Sequence, residues 1–361
     1  MGLGIAEVVG RLDGFARGND LVFMGPMSYP QDIYVQDGGM NYPNPDFTGT
    51  INSFGYSIKP RFSKWGTRGA EPTPGARTWL SLGDSFTIAV QVEEAQTYSA
   101  RLAASEGVQV LNAGVDGYST WKESLRAVQL GRNFPPEVVL YSFFTGNDFF
   151  DNRQSVRHGL DDVPLGPGEP GAPKFGLPKI GVIGPAMPAW VKFIRDHSVL
   201  AAHYWSWSET RRARSGTAPN ARRFRDELRL FTTAGAGAGG PDMAATEGAL
   251  RFAKAAADKL HARAVVAVIP PALVMDLEVA SRTFRSVGLD NATPDLDAAQ
   301  KLAVGAARAA GVVVCDMLPP LRAASEAGER PYLPFDGHLS VRGHEVVAAA
   351  IARCVAEAPA G

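Results

Sequence analysis

From residue 78 onward, short apolar runs alternate with longer segments in which apolar residues recur at helical spacing. The runs have the length of buried strands, and the segments between them have the length of crossover helices. The clearest helix is the last, where Val347, Ala350, Ile351, Cys354 and Val355 follow one apolar helix face. The pattern therefore predicts an α/β fold, a flavodoxin-like three-layer sandwich with a five-stranded parallel sheet.

The strands and helices of this predicted sandwich can be placed approximately along the chain. The predicted strands cover residues 78–82, 108–111, 138–144, 264–269 and 312–317. The helices that the pattern predicts between and after them cover about 95–105, 120–132, 244–261 and 295–310, followed by the last helix.

Two parts of the chain depart from this alternation. Residues 1–77 place turn formers between short aromatic and β-branched pieces, which predicts an N-terminal segment that wraps a catalytic domain of residues 78–361. Residues 151–243 contain a Pro- and Gly-rich stretch and a Gly-Ala linker, which predicts an insertion after the third strand that influences substrate choice. Its aromatic helix, Trp190 to Trp207, is a candidate cover for the site. Its arginine-rich run, Arg211 to Arg229, is predicted to be a solvated face, with an anionic ligand as the alternative.

Composition and charge argue against a nucleic-acid-binding protein and against a membrane-spanning chain. The chain has 361 residues, of which 45% are hydrophobic and 20% charged, and its net charge is −1, so we expect no nucleic-acid partner. No stretch reaches the roughly 18 uninterrupted apolar residues of a membrane span, so we expect a chain that is soluble as written. The apolar N-terminus is short and lacks a basic region and a cleavage site; a remnant of a longer anchor is the alternative interpretation. The compartment stays open between the cytoplasm and an exported location.

The sequence gives no indication of a metal or cofactor site. Cys315 and Cys354 are too few for a disulfide framework or a zinc site, and each lies in an apolar segment. We expect both to be buried free thiols. The glycine-rich linker has no strand before it, so it does not fit a phosphate-binding loop. We therefore expect no cofactor and no metal.

Polar, glycine-containing blocks follow four of the five predicted strands. Because the carboxyl ends of parallel strands form the ligand crevice of an open α/β sheet, these blocks are predicted to converge. The first block places a serine where a strand turns into a helix, and helix-start N–H groups favour a nucleophile there. Each block alone also fits an ordinary turn. The blocks are Gly83–Ser85, Asn112–Thr120, Thr145–Asp148 and Phe335–Ser340.

In this order, Ser85, Gly117, Asn147 and His338 resemble the four blocks of the SGNH superfamily of GDSL-type serine hydrolases. The resemblance implies a nucleophile at Ser85. It also implies an oxyanion hole formed by the backbone N–H groups of Ser85 and Gly117 and by the side-chain amide of Asn147. The resemblance covers about residues 78–150 and 264–356.

The chemistry of a serine nucleophile requires a base nearby, because an alcohol at its ordinary pKa reacts slowly. His338 is the candidate base, and Asp336 is the candidate for orienting its ring and stabilising its cation. His344 is the rival, but we expect it in the first turn of the last helix, behind the N-cap Ser340, with a structural role. The family usually has two residues between the aspartate and the histidine, whereas this chain has one. Related polysaccharide O-acetylation proteins share the shorter spacing.

Three functions are compatible with these residues. The favoured hypothesis is a serine hydrolase that cleaves a carboxylic ester, such as a carbohydrate O-acetyl group or a lipid ester, through an acyl-enzyme on Ser85. An O-acyltransferase would use the same residues with a sugar hydroxyl in place of water. A non-catalytic carbohydrate- or lipid-binding protein is the third hypothesis, against which the intact Ser85, Asn147 and His338 argue. The expected partner is a small-molecule, carbohydrate or lipid ester.

Overall fold

The structure is a computed structural model that describes residues 30–153, 158–177, 221–236 and 241–358, except 31, 38, 54–55 and 334–335. It also describes single residues between 190 and 211, and the apolar N-terminus lies outside the described residues. The first elements are short strands that form two antiparallel pairs, β1 with β2 and β3 with β4. Their bounds are β1 (Tyr34–Asp37), β2 (Met40–Pro43), β3 (Ile51–Ser53) and β4 (Tyr56–Ile58).

These two strand pairs pack on the rest of the molecule. Tyr42 of β2 shares an apolar cluster with Tyr118. Ile51 of β3 shares another cluster with Ile88. The boundary between an N-terminal segment and the main domain at residue 77 remains a prediction.

The centre of the molecule is a five-stranded sheet in which every neighbouring pair of strands is parallel. The order of its strands is β6-β5-β7-β8-β9. Each of the five predicted strands overlaps one of them, so the predicted fold class is confirmed. The bounds are β5 (Thr78–Leu82), β6 (Gln109–Asn112), β7 (Pro136–Phe144), β8 (Arg263–Ile269) and β9 (Val313–Asp316).

Helices connect the strands. Among the described residues between β5 and β8, the helices are α1 (Ser85–Ile88), α2 (Tyr98–Glu106), α3 (Thr120–Gly131), α4 (Asp148–Asp151), α5 (Ala221–Arg229), α6 (Thr233–Ala236) and α7 (Pro241–Lys259). After β8 they are α8 (Leu277–Ser286), α9 (Ala298–Ala309), α10 (Leu318–Glu326) and α11 (Val341–Glu357). Short 3-10 turns lie at Glu94–Gln96 and Ala272–Met275.

The helices cover both faces of the sheet. Successive side chains of a strand point to opposite faces, so the apolar strands present side chains on both faces that are buried under helices. On one face, Leu80 and Val139 share a core with residues of α3, α7 and α9. On the other face, Trp79 and Leu140 share a core with residues of α2, α10 and α11. Full burial of one such side chain stabilises the fold by about 1.5–3 kcal/mol. None of the described helices has both the length and the hydropathy that a membrane span requires.

The sequence prediction omits several of the described helices, and the longest of them after β8 are α8 and α10. Helix α10 begins Leu318-Pro319-Pro320. In a sequence, two prolines are typical of a break in a helix, but the first turn of a helix accepts proline. Helix α8 is capped by Asp276, whose side chain accepts the N–H groups of Glu278 and Val279.

The segment between β7 and β8 contains α4 to α7, and the predicted insertion bounds of 151–243 remain a prediction. Of the aromatic residues predicted to form its helix, Trp190, Phe193 and Tyr204 are exposed. Trp205 and Trp207 lie outside the described residues.

The prediction of two free thiols is wrong, because Cys315 and Cys354 form a disulfide. Cys315 lies in β9 and Cys354 in α11, and the helix packs against this edge strand with the two Cα atoms 5.7 Å apart. The pairing depends on which face of α11 meets β9. The apolar residues around each cysteine predicted that it is buried, but they did not predict that the two cysteines are in contact.

Reduction of the disulfide should lower the free energy of unfolding by roughly 4 kcal/mol, because the bond closes a loop of 39 residues in the unfolded chain. Urea unfolding followed by circular dichroism, with and without a reductant, measures the difference. The double variant Cys315→Ala/Cys354→Ala is the control and should not respond to the reductant. Equal midpoints for the wild type in both conditions would contradict the prediction.

Candidate active site

The corner between β5 and α1 presents Ser85 at the carboxyl edge of the sheet. Gly83 forms this corner with φ of +157°, and a Cβ there would lie 2.0 Å from Thr87 Oγ1, so only glycine fits. Asp84 caps α1, because its Oδ1 accepts the N–H of Phe86 at 2.9 Å. Ser85 is therefore the first residue of the helix that follows the strand.

The loop before α11 brings His338 to Ser85. Nε2 of His338 lies 2.8 Å from Ser85 Oγ, and its Nδ1 pairs with Asp336 Oδ1. The same Asp336 oxygen accepts the backbone N–H of His338 at 3.2 Å, as in an Asx-turn. Gly337, with φ of +81°, lies between them. A single intervening residue is therefore sufficient to bring the carboxylate to the ring.

Tyr56 of β4 is a further member of this arrangement. Its O–H donates to Asp336 Oδ2 at 2.9 Å, so both carboxylate oxygens have donors. No local signal marks Tyr56, because its partner lies 280 residues further along the chain.

Burial and the neighbouring charges act in opposite directions on the pKa values of this pair. Burial alone would lower the pKa of His338, but the carboxylate of Asp336, with smaller effects of Asp84 and Asp116, raises it above its ordinary value of 6.5. Burial alone would raise the pKa of Asp336, but His338 and the Tyr56 hydroxyl hold it below its ordinary value. The protonated ring is thus stabilised by the carboxylate that orients it.

The rival histidine, His344, lies in the first turn of α11, where the sequence placed it. Ser340 caps this helix, because its Oγ accepts the N–H of Gly343 at 3.1 Å. The Nδ1 of His344 accepts the backbone N–H of Tyr98 at 3.2 Å. Burial, with a smaller contribution from nearby cations, lowers its pKa to about 3. A neutral ring buried in this way supports the helix contact rather than proton transfer.

Asn147 lies at the start of α4 and lines the same cavity as Ser85 and His338. One N–H of its side-chain amide donates to Asp151 Oδ2 at 3.0 Å. Asp151 Oδ1 in turn accepts Nη2 of Arg223 at 2.8 Å. Helix α5, which carries Arg223, is therefore linked to Asn147 through one carboxylate.

The arginine-rich run was predicted to be a solvated face, and two of its members depart from this. Arg223 is half-buried and bonds both Asp151 and Glu227, the latter through Nε at 2.7 Å. Arg225 donates to the carbonyl of Val287 at 2.8 Å. The alternation of basic and acidic residues in the sequence is typical of a helix surface and does not reveal that one face of α5 meets α4.

Gly117 lies in the turn between β6 and α3 with φ of +68°, a conformation that a residue with a Cβ rarely adopts. It is exposed and is not among the described residues that line the cavity beside Ser85. The preceding residue, Asp116, is close enough to raise the pKa of both Asp84 and His338. The block that contains Gly117 therefore lies near the site.

Three carboxyl groups are buried close to the serine. Asp84, Glu123 and Asp148 are each at most 1% exposed. Burial raises the pKa of Asp84 to about 7 and those of Glu123 and Asp148 well above their ordinary values. Asp148 Oδ2 accepts the N–H of Phe144 at 2.8 Å, so this residue supports the loop after β7, as Asp84 supports the turn after β5.

Part of the chain matches a protein-family model. Residues 230–361 match the model described as "SGNH hydrolase-like domain, acetyltransferase AlgX". This part of the chain includes Asp336 and His338 and excludes Ser85, Gly117 and Asn147. The match confirms the resemblance to the SGNH superfamily and supports a family of the esterase or acyltransferase type. The comparison with curated proteins found no match.

Comparison with solved structures gives several similar chains. The α/β hydrolase LAE5 from the metagenome of Lake Arreo, Spain, is 13% identical with a TM-score of 0.40, covering 79% of this chain and 97% of its own. A catalytic mutant of the acetylxylan esterase Axe2 from Geobacillus stearothermophilus is 13% identical with a TM-score of 0.38, covering 79% and 96%. A GDSL-like lipase from Bacteroides thetaiotaomicron is 11% identical with a TM-score of 0.39, covering 81% and 93%.

The two buried histidines should titrate differently in an NMR experiment on the full chain. We expect the His338 ring to protonate above pH 6.5, because the Asp336 carboxylate favours the cation. In Asp336→Asn, the pKa of His338 should fall by about one to three units. The His344 ring, with a pKa of about 3, should stay neutral throughout and serves as the internal control. A His338→Gln variant assigns the signal, and a wild-type pKa at or below 6.5 would contradict the prediction.

Proposed function

We propose that this SGNH hydrolase-like chain is a serine hydrolase that cleaves a carboxylic ester through an acyl-enzyme on Ser85. The observation that carries the proposal is the distance of 2.8 Å between Ser85 Oγ and Nε2 of His338. A buried carboxylate, Asp336, pairs with the other ring nitrogen and is itself held by Tyr56. Nucleophile, base and orienting group are thus connected in the order that acyl transfer to a serine requires.

In the first half of the proposed reaction, Ser85 Oγ attacks the ester carbonyl carbon while His338 Nε2 accepts the hydroxyl proton. The negative charge that develops on the carbonyl oxygen is stabilised by hydrogen-bond donors already in place. The donors we assign are the backbone N–H groups of Ser85 and Gly117 and the amide of Asn147. The bond to the alcohol oxygen then breaks, and the alcohol leaves with the proton from His338.

In the second half, a water molecule attacks the acyl-enzyme and gives its proton to His338. The bond between the acyl carbon and Ser85 Oγ breaks, and Ser85 recovers the proton. The products are a carboxylic acid and an alcohol. His338 therefore has to be neutral in the free enzyme, and its raised pKa places the acidic limb of the rate profile above pH 6.5.

The name of the matching family model favours a second function, O-acyl transfer to a sugar hydroxyl. The same residues would form the acyl-enzyme, and an acceptor hydroxyl would replace water. A non-catalytic binding protein on this scaffold is the third hypothesis. It predicts that Ser85 does not react with a serine-directed probe.

Ser85→Ala and His338→Ala should each lower kcat/KM for p-nitrophenyl acetate by at least about 10³-fold, because groups that act as a unit fail together. His344→Ala should instead lower the unfolding free energy by about 1–3 kcal/mol, because the N–H of Tyr98 loses its buried acceptor. Its kcat/KM per folded molecule should stay within about tenfold of the wild type. The measurement is initial-rate kinetics combined with thermal unfolding of each variant.

A fluorophosphonate probe followed by mass-spectrometric mapping identifies the nucleophile independently. Labelling of Ser85 in the wild type and its loss in Ser85→Ala supports the assignment. Full activity in Ser85→Ala, or the reverse behaviour of the two histidine variants, would overturn it.

When both water and a sugar hydroxyl can react with the acyl-enzyme, hydrolysis should be faster than transfer of the acyl group to the sugar. The protein is given p-nitrophenyl acetate with and without an oligosaccharide acceptor, and the products are counted by mass spectrometry. Free acetate should exceed acetylated sugar. Faster accumulation of acetylated sugar would overturn the hydrolase proposal in favour of the transferase, and Ser85→Ala controls for uncatalysed transfer.

A further inference from the structure

A cavity of about 350 Å³ lies against Ser85 and His338. It begins at the reacting groups, where Phe86 stacks on Phe144 with ring centroids 3.9 Å apart and packs 4.7 Å from the His338 ring. The rest of its lining comes from α5 and the chain after it, from the 3-10 turn after β8 and from α8. The apolar side chains that line it include Phe86, Phe144, Phe224, Leu228, Phe231 and Leu273.

Most of the charged and hydroxyl groups among the described residues of the cavity wall already have partners. Arg223 bonds Asp151 and Glu227. The hydroxyl of Thr283 donates to the carbonyl of Val279 at 2.8 Å. Two buried oxygens of the described lining residues have no hydrogen-bond partner. One is Oδ2 of Asp84, which precedes Ser85 in the chain, and the other is Oδ1 of Asn147, whose amide is the oxyanion donor that we assign. A polar ligand deep in the cavity would lose hydrogen bonds to water without replacement, whereas an alkyl chain would gain from leaving water.

Hydrogen bonds connect the cavity lining to the residues around Ser85. Arg223 of α5 bonds Asp151 of α4, and Asp151 bonds Asn147. The guanidinium also lies over the Phe150 ring, 4.5 Å from its centroid. Helix α5 and the proposed oxyanion donor Asn147 are therefore held by the same carboxylate, that of Asp151.

The size of the cavity sets the length of its occupant. At roughly 30 Å³ for each water-sized group, the cavity holds about a dozen heavy atoms. An acetyl group would fill only about a quarter of this volume, and the remaining apolar surface would stay unused. The acyl part is the better occupant than the alcohol, because in the proposed reaction it stays covalently bound to Ser85 through the acyl-enzyme, whereas the alcohol has to leave after the first half.

We propose that this cavity is an acyl-chain pocket and that the substrate is an ester of a straight-chain acid of about six to ten carbons. The proposal rests on the proposed serine hydrolase function. It goes beyond it by excluding acetyl as the preferred acyl group, although the name of the matching family model contains acetyltransferase.

The test measures kcat/KM for p-nitrophenyl esters from two to twelve acyl carbons, below their aggregation limits. The value should rise about fourfold for each added methylene, the factor that corresponds to burial of one such group, and level off between about six and ten carbons. A second series, acetates of straight-chain alcohols, should show no comparable rise. A maximum at acetate, or a rise that follows the alcohol instead of the acyl chain, would overturn the proposal.

Two variants, Ala272→Phe and Leu273→Trp, enlarge side chains of residues that line the cavity. Each should lower kcat/KM for the octanoate at least tenfold relative to that for the acetate. Leu277→Trp is the matched control, since Leu277 lies on α8, is 60% exposed and is outside the cavity lining. The control should keep the wild-type series, and thermal unfolding verifies that each variant is folded. An unchanged octanoate-to-acetate ratio in both folded filling variants would overturn the proposal.

Fluorophosphonate labelling separates this inference from the function on which it rests. If Ser85 is labelled and acetate is the best substrate, the acyl-chain pocket is wrong and the hydrolase proposal stands. If Ser85 is not labelled and no ester of the series is cleaved, the hydrolase proposal fails, and the pocket proposal fails with it.

Discussion

The burial of a carboxylate beside an imidazole is the constraint on which the rest of this structure depends. A carboxylate removed from water costs several kcal/mol unless donors replace the lost hydration. Asp336 has such donors in the His338 ring, the His338 backbone N–H and the Tyr56 hydroxyl. They come from the loop before α11 and from strand β4, far apart in the chain. The sheet, the last helix and the N-terminal strand pair therefore have to be in place together before this charge is stable.

The parts of the fold that the sequence predicts are those that leave a local pattern. The three central strands of the main sheet, β5, β7 and β8, are buried on both faces, so each appears in the sequence as an almost continuous apolar run. The polar blocks after β5 and β7 meet at one cavity, because parallel strands end at one edge of a sheet. The block of His338 follows α10 rather than a strand, so its pairing with Ser85 depended on the resemblance to the SGNH superfamily. Their roles in catalysis remain a prediction.

The contacts that escaped prediction join segments that are distant in sequence. Tyr56 and Asp336 are 280 residues apart, Arg223 and Asp151 are 72 apart, and the two cysteines are 39 apart. The apolar or polar pattern around each of these residues does not indicate which distant residue it contacts. Each pairing depends on which face of one element packs against another element. Helix α10 escaped for a different reason, because two prolines in its first turn resemble a break.

The disulfide has a consequence for the integrity of the chain. Cys315 and Cys354 close a covalent ring, and the loop that carries Asp336 and His338 lies inside it. A peptide bond cut anywhere within this ring would leave the two fragments joined. The last helix, with its apolar face against β9, would remain attached to the sheet after such a nick. Protease resistance of the intact assembly would then depend on the oxidation state of one bond at the far edge of the sheet.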